Sequence, residues 1–378
     1  MKKLFWLGFL GLVAFEVLNV YFIMPMPGSQ EMNSIDAAYF LYTWRWVFRG
    51  LFALLMLIGL FKGRWKRRWV PIIPIAIVGA VIYFANFKMA ADHMFYQPKT
   101  LLMADATANK VEAERLVLGV VENGQAKAYP IRFLGYHHQV KDTIGGKPVI
   151  VTYCTVCRTG RAYEPLVNGK PENFRLVGMD HFNAMFEDAT THSWWRQVNG
   201  QAITGKLKGQ QLPEVYSTQT SLKKWLELNP NSLVMQADPA FIASYDTSMR
   251  YESGQSRNPL TGTDSLSWNK KSWVVGVRAG QQQKAYDWNK LKTERVINDK
   301  IGTIPMVLVL AKDDKSFFAF ERPADWQFSL QDDNLLAADR KFLINGKGID
   351  TSFSLKPLPA FQEFWHSWQT FHPSTAKY

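Results

Sequence analysis

One stretch of this chain repeats another. Residues 117–164 align without a gap to 274–321 at a constant offset of 157. Val117, Gly119 and Val120 return as Val274, Gly276 and Val277, and Lys127, Ala128 and Tyr129 as Lys284, Ala285 and Tyr286. Asp142, Ile144, Gly145 and Pro148 return as Asp299, Ile301, Gly302 and Pro305, and Ala162 and Glu164 as Ala319 and Glu321. Identity at turn glycines and prolines constrains the backbone itself, so the repeat implies one structural unit used twice. Each copy reads as β structure: an apolar run ending in a turn, then a second apolar run after Gly-x-x-Pro.

Other signals agree with that reading. Asn168-Gly169 is a strong two-residue hairpin signal, and extrapolating its register sets Cys157 opposite Asp180. Helices are sparse: a short one from a cap at Thr220 to Leu228, stopped by Asn229-Pro230, and an amphipathic one over 358–371 carrying Trp365 and Trp368. Residues 251–269 are polar and Gly/Ser-rich, a linker or long loop. The expected fold class is a β-rich α+β domain of two duplicated β units about a pseudo-twofold axis, spanning 91–378.

Residues 1–90 obey a different rule. Apolar stretches at 4–24, 39–61 and 70–87 are each long enough for about 30 Å of hydrocarbon at 1.5 Å per residue, so three transmembrane helices are expected. The first lacks a small-residue cleavage site and is too long for a signal core, so it reads as an uncleaved anchor. Lys2 and Lys3 precede it, the loop 25–38 has no Lys or Arg, and the loop 62–68 is strongly basic. Positive loops stay inside, which puts the N-terminus in the cytoplasm and everything after 87 outside it, in a bacterial inner membrane with a periplasmic or extracellular C-terminal domain. More than half of the net charge of +12 lies in these first 90 residues. The expected partner is therefore the lipid bilayer, and nucleic acid is excluded, with no phosphate loop, helix-turn-helix or zinc-finger spacing present. Glu16, Arg45 and Arg49 fall inside the expected spans. Glu16 is about 18 Å from the inner face and Arg49 about 15 Å from the outer one, so the depths coincide and an ion pair with Arg49 or Arg45 is expected.

The run 148–160, containing Tyr-Cys-Thr-Val-Cys-Arg-Thr-Gly, is followed at 188–205 by Asp-Ala-Thr-Thr-His-Ser-Trp-Trp-Arg-Gln-Val-Asn-Gly-Gln-Ala-Ile-Thr-Gly. Together they resemble the bacterial domain-of-unknown-function family 3179, whose membrane-anchored members carry Cys-x-x-Cys. The resemblance covers most of 95–325. On its pattern fall Cys154, Cys157, Asp188, Thr190, Ser193, Trp194, Gln197, Gly200 and Gly205. It implies shared residues but no activity.

The chain's two cysteines are three apart. Haem c is excluded because Arg158 stands where Cys-x-x-Cys-His needs histidine. Soft thiolates with extra His or Met suit copper or zinc, and the extrapolated hairpin offers Met179, His181 and Met185, with His137, His138 and His192 nearby in sequence. The second repeat has Ala311 and Asp314 at the cysteine positions, which makes one lobe the site and its twin a scaffold. The expectation is a copper or zinc site at Cys154 and Cys157. A thiol redox pair and a structural disulfide remain open alternatives.

Overall fold

The computed structural model describes residues 1–349 and 352–378. It is an α+β protein with two compact units whose segments alternate along the chain. The first comprises Met1–Tyr96, Glu172–Arg196 and Gln201–Gln211, and the second Gln97–Pro171, Gln197–Gly200 and Leu212–Tyr378. The division therefore differs from a simple boundary at residue 90.

In the first unit, α1 (Lys2–Tyr21) is the one helix long and apolar enough to cross a membrane. The second apolar stretch is not one straight helix. It breaks at Trp44 (φ −94°, ψ 11°) into α2 (Ile35–Thr43) and α3 (Arg45–Lys62), bent by 62°. The third is shorter still, with α4 (Ile72–Tyr83) passing into a π turn at Phe84–Lys88. Small residues let α1 and α3 touch backbone to backbone: a Cβ on Gly59 would lie 2.2 Å from Phe5 N, and one on Gly8 2.5 Å from Met56 N. Phe5, Leu12, Met56 and Val78 fill this contact. Arg49 grips fully buried Glu16 through Nε to Oε1 (2.6 Å) and Nη2 to Oε2 (2.8 Å). Asn86 completes the cluster, donating to Glu16 Oε2 (2.9 Å) and accepting from Arg49 (2.7 Å). Arg45 instead donates to Tyr42 O.

The same unit holds a four-stranded antiparallel meander, Phe174–Asp180, Asn183–Asp188, Trp194–Arg196 and Ala202–Thr204. Val177, Met185, Trp194 and Ile203 pack with Ala38 of α2, against which Ile23, Tyr39 and Tyr42 also lie. Met179 N donates to Ile23 O (2.8 Å).

The second unit has two halves with the same order of elements. Strands Leu116–Glu122 and Gln125–Pro130 lead into helix Ile131–His137, then strands Gln139–Ile144, Lys147–Cys154 and Thr159–Tyr163. Strands Trp273–Ala279 and Gln282–Asp287 lead into helix Trp288–Glu294, then Val296–Ile301, Ile304–Leu310 and Phe317–Glu321. Details match as well. Lys127 and Tyr129 both bond Asp142 (2.9 and 2.6 Å), as Lys284 and Tyr286 both bond Asp299 (2.6 and 3.0 Å).

A further segment recurs at a second offset, 143. Strand Ser217–Ser221 and helix Leu222–Leu228 correspond to strand Ala360–Phe364 and helix Trp365–Phe371. The cap of the first helix is Ser221, not Thr220. The expected helix over 358–371 begins as a strand because 360–364 pairs antiparallel with 273–277. In each half an indole lies flat on a glycine: a Cβ on Gly119 or Gly276 would come within 2.1 Å of Trp225 or Trp368. The core beneath each hairpin is built from the repeat's apolar positions, Val117, Leu134 and Ile144 in one half and Val277, Leu291 and Ile301 in the other.

Candidate dithiol site

Strand Lys147–Cys154 turns back into Thr159–Tyr163 through Thr155–Arg158, with Arg158 at φ +56°. Both cysteines sit on this turn, fully buried, as thiols. Burial pushes the Cys157 thiol well above its usual pKa, and its hydrogen bond to Cys154 adds to the rise, while the Ser367 hydroxyl pulls the other way.

The turn of one half meets the strand–helix junction of the other. Phe364 N donates to Cys157 O (3.0 Å). Ser367 Oγ donates to Glu363 Oε2 (2.8 Å), and Glu363 Oε1 accepts from Thr159 Oγ1 (3.0 Å) and Arg161 Nη2 (2.5 Å). Arg161, Glu363 and Ser367 are all buried. Gln219 and Gln362, equivalent at offset 143, meet each other at 2.9 Å. Arg158 Nε donates to the same Gln362 oxygen (3.0 Å).

A strap from 251 to 271 closes over the turn. Tyr251 OH donates to Thr155 O (3.0 Å), and Arg158 donates to Tyr251 O (2.9 Å) and Glu252 O (3.1 Å) while its guanidinium lies 3.7 Å from the Trp273 ring centroid. Lys271 Nζ donates to Val156 O (2.9 Å) and Leu260 O (2.6 Å). Burial lowers the Lys271 pKa, an effect the two cysteines oppose. His366 Nε2 shares Val156 O at 3.2 Å, and burial, aided by Lys271, pushes His366 down to about 4. It is therefore neutral at pH 7 and donates here through Nε2–H.

The ligands expected from sequence are divided between the two units. The Asn168-Gly169 turn is a hairpin of only two pairs, Leu166–Pro171 and Val167–Lys170. Beyond it, Phe174–Asp180 pairs with Asn183–Asp188, while Thr159–Tyr163 pairs with Lys147–Cys154 and Glu214–Val215. The extrapolated register that set Asp180 opposite Cys157, with Met179 and His181 flanking it, fails for that reason. Met179, His181, Met185 and His192 belong to the first unit. Met185 is fully buried in its apolar core. His181 bonds Asp180 (2.6 Å), whose other oxygen takes Arg196 Nε (2.7 Å). His192 is exposed, 3.5 Å from Glu187. His137 bonds Tyr245 OH (2.7 Å) and His138 Nδ1 approaches Tyr136 O (3.2 Å). Among the described residues no group of three or more His, Cys, Asp or Glu is arranged to hold a metal ion.

The motif at 188–197 builds structure. Asp188 accepts from Thr191 N and Oγ1, Ser193 N and Trp195 Nε1, which fixes the turn before Trp194. Trp194 Nε1 donates to Glu187 (2.9 Å), and Ser193 Oγ accepts from Leu207 N (3.1 Å). Thr190 is exposed. Gln197 belongs to the second unit and donates to Thr152 Oγ1 (3.0 Å) and Thr159 O (3.2 Å), bracing the cysteine hairpin. The sequence reading missed Lys271, Glu363, His366 and Ser367. A signal existed: Gln219, Trp225 and Pro230 return as Gln362, Trp368 and Pro373 at offset 143, on the segment that faces the cysteines.

These features define an α+β protein with two buried thiols where the turn after strand Lys147–Cys154 meets the junction of strand Ala360–Phe364 and helix Trp365–Phe371. The chain belongs to the family of proteins of unknown function DUF3179, whose match covers residues 97–375. No curated protein and no solved structure matches it.

Proposed function

We propose that this is a membrane-anchored, extracytoplasmic thiol–disulfide protein whose redox pair is Cys154–Cys157. One observation carries the reading: two buried thiols hydrogen-bonded to each other on a tight turn, with Ser367 and Glu363 behind them. In the reaction the two thiols lose two electrons and two protons to a partner disulfide. An S–S bond forms between Cys154 and Cys157, and the partner's S–S bond breaks to give two thiols. Ser367 and Glu363 are the route for the Cys157 proton. A buried thiol with a raised pKa is a poor nucleophile, so exchange requires the 251–271 strap to lift. Copper or zinc at the cysteines is the second reading, favoured by the loss of sulfur at Ala311 and Asp314 in the other half.

The duplication is part of the proposal, supported by matched elements at offsets 157 and 143. So is a three-segment anchor: α1, the bent α2–α3 pair and 72–88, with the N-terminus and loop 62–68 cytoplasmic. The charge asymmetry of the loops and the buried Glu16–Arg49–Asn86 cluster support it.

The test is thiol counting and metal analysis on the purified full chain. Oxidation with diamide should convert two titratable thiols into one disulfide, reversibly, with no stoichiometric metal. One tightly held equivalent of zinc or copper that protects both thiols from diamide would overturn the redox reading. A reporter at Tyr378 should be active only as an exported enzyme; cytoplasmic activity there would reject the topology.

A further inference from the structure

We propose that the first unit holds the headgroup of an aminophospholipid in a cavity of about 250 Å³ at the C-terminal end of α1. The cavity is bounded by α1, α2, the π turn after α4, helix Ala91–Met94 and strand Phe174–Asp180. The inference rests on the anchor reading above and is independent of the cysteine chemistry.

Two features of its wall ask for a ligand, and they ask for different atoms. Arg45 has its guanidinium stacked 3.9 Å from the Tyr42 ring centroid, and Nη1 donates to Tyr42 O. Among the described residues no carboxylate lies within ion-pair distance of it. The other arginine of the wall is already committed: Arg175 bonds Glu187 (2.8 Å), Asp92 (3.2 Å) and Tyr42 OH (2.6 Å). Arg45 is thus the cation to which an anion would bring new stabilisation. Asn19 Oδ1, also at the wall, is buried with no hydrogen-bond partner among the described residues. A buried acceptor left unmatched is costly, and only a donor relieves it. Asp92 adds negative charge to the same lining.

A phosphate diester for Arg45 and an ammonium for Asn19 Oδ1 and Asp92 satisfy both demands within one molecule. Asn86 and His93 also line the cavity, and its apolar part, with Val20, Ile23, Met89 and Val177, suits the glycerol and upper acyl chain. The setting suits a lipid source. Trp44, Trp46, Tyr83, Phe84 and Phe87, at the same ends of these helices, are exposed, as in the aromatic belt at a bilayer surface. A quinone has carbonyl acceptors for Arg45 but no donor for Asn19, and an anionic lipid without an amine leaves Asp92 opposed to the ligand.

The full chain in mild non-ionic detergent, studied by native mass spectrometry with phosphatidylethanolamine added, should retain one lipid per chain. Arg45→Gln should reduce occupancy about tenfold or more, since a hydrogen bond to a charged group is worth about 1.5–3 kcal/mol. Asn19→Leu should reduce it as well, and Arg45→Lys, which keeps the charge, should retain most binding. Unchanged occupancy in both Arg45→Gln and Asn19→Leu would overturn the proposal. So would equal retention of phosphatidylglycerol, displacement by a quinone, or competition by glycerophosphoethanolamine at equal concentration, which would indicate a soluble ligand. Alkaline carbonate extraction separates the two readings: a chain that stays in the membrane yet holds no lipid sinks this inference alone, and a chain that is extracted sinks the anchor.

Discussion

The turn at 154–158 and the turn at 311–316 occupy the same place in the two halves, and they do different jobs. In the second half, Asp313 accepts from Lys315 N (3.0 Å), Ser316 N (2.9 Å), Ser316 Oγ (2.6 Å) and Ser221 Oγ (2.6 Å) of the facing helix cap. That is a complete set of local bonds around a carboxylate, and it fastens one half to the other. In the first half two buried cysteines stand in that place. Arg158, Arg161 and Glu363 beside them bond across the two halves. The comparison shows one turn built around a carboxylate and the corresponding one around two buried cysteines.

The sharpest way to break the comparison is to remove the sulfur. Cys154→Ser with Cys157→Ser should abolish diamide-dependent disulfide formation entirely and leave the thermal midpoint within a few degrees. Asp313→Ala should do the reverse, with full redox activity and a loss of about 1–3 kcal/mol in denaturant unfolding as the Ser221 and Ser316 partners go unmatched. A serine pair that unfolds the protein would show that the thiols are structural.

The buried ion pair comes next. Arg161 and Glu363 correspond by offset to Phe318 and Thr220 in the other half, where no charge is used. Glu363→Ala should cost about 3–5 kcal/mol because Arg161 is left buried without its partner. Arg161→Phe combined with Glu363→Thr, which copies the other half, should recover most of that loss. Additive losses in this double-mutant cycle would mean that the two interfaces are not equivalent.

The third contrast is in pH. His366 corresponds to exposed Lys223, and His138 to Arg295. Burial pushes both histidines down to about 4. Below about pH 6.5 the unfolded chain takes up protons that the folded chain refuses, so stability falls as pH drops from about 6.5 to about 4. Each site contributes up to about 3 kcal/mol to that fall. His366→Asn should flatten the curve of thermal midpoint against pH over this window, and an unchanged slope would mean that His366 protonates freely in the folded state.

What the sequence made legible follows from the range of each signal. The offset of 157 was readable because Gly145, Gly302, Pro148 and Pro305 fix turns locally. Asn168-Gly169 was also read correctly as a turn, yet it says nothing about strands beyond its two pairs. The departure of Phe174–Asp180 into the meander is a tertiary choice driven by burial of Val177, Met185 and Trp194 against α2. That one departure places Met179 and His181 in the first unit. Glu16 and Arg49 were legible as partners because a charge inside an apolar helical stretch has few solutions. Asn86, the third member of their cluster, was not, since an amide near a helix end carries no such demand. Lys271, Glu363 and His366 were illegible for the opposite reason: each looks like an ordinary surface residue until the second half folds against the first.

The smallest effect tests the proton route. Ser367 lies on the first turn of helix Trp365–Phe371, and its equivalent in the other half is Lys224, which reaches Glu227 and Asp333 instead of a thiol. Its hydroxyl lowers the Cys157 pKa against the larger opposing effect of burial. Removing it by Ser367→Ala should raise that pKa further and interrupt the link to Glu363 Oε2. Disulfide formation should then slow by about tenfold at pH 7, less than the roughly hundredfold or more of a proton-transfer partner lost outright, and the rate should recover as pH is raised. A merely structural role would lower stability and leave the pH profile of the rate where it was. Ser367→Thr, which keeps the hydroxyl, should restore the profile. If Ser367→Ala oxidises at the wild-type rate at every pH, the proton leaves Cys157 by another path and Glu363 serves only to hold Arg161.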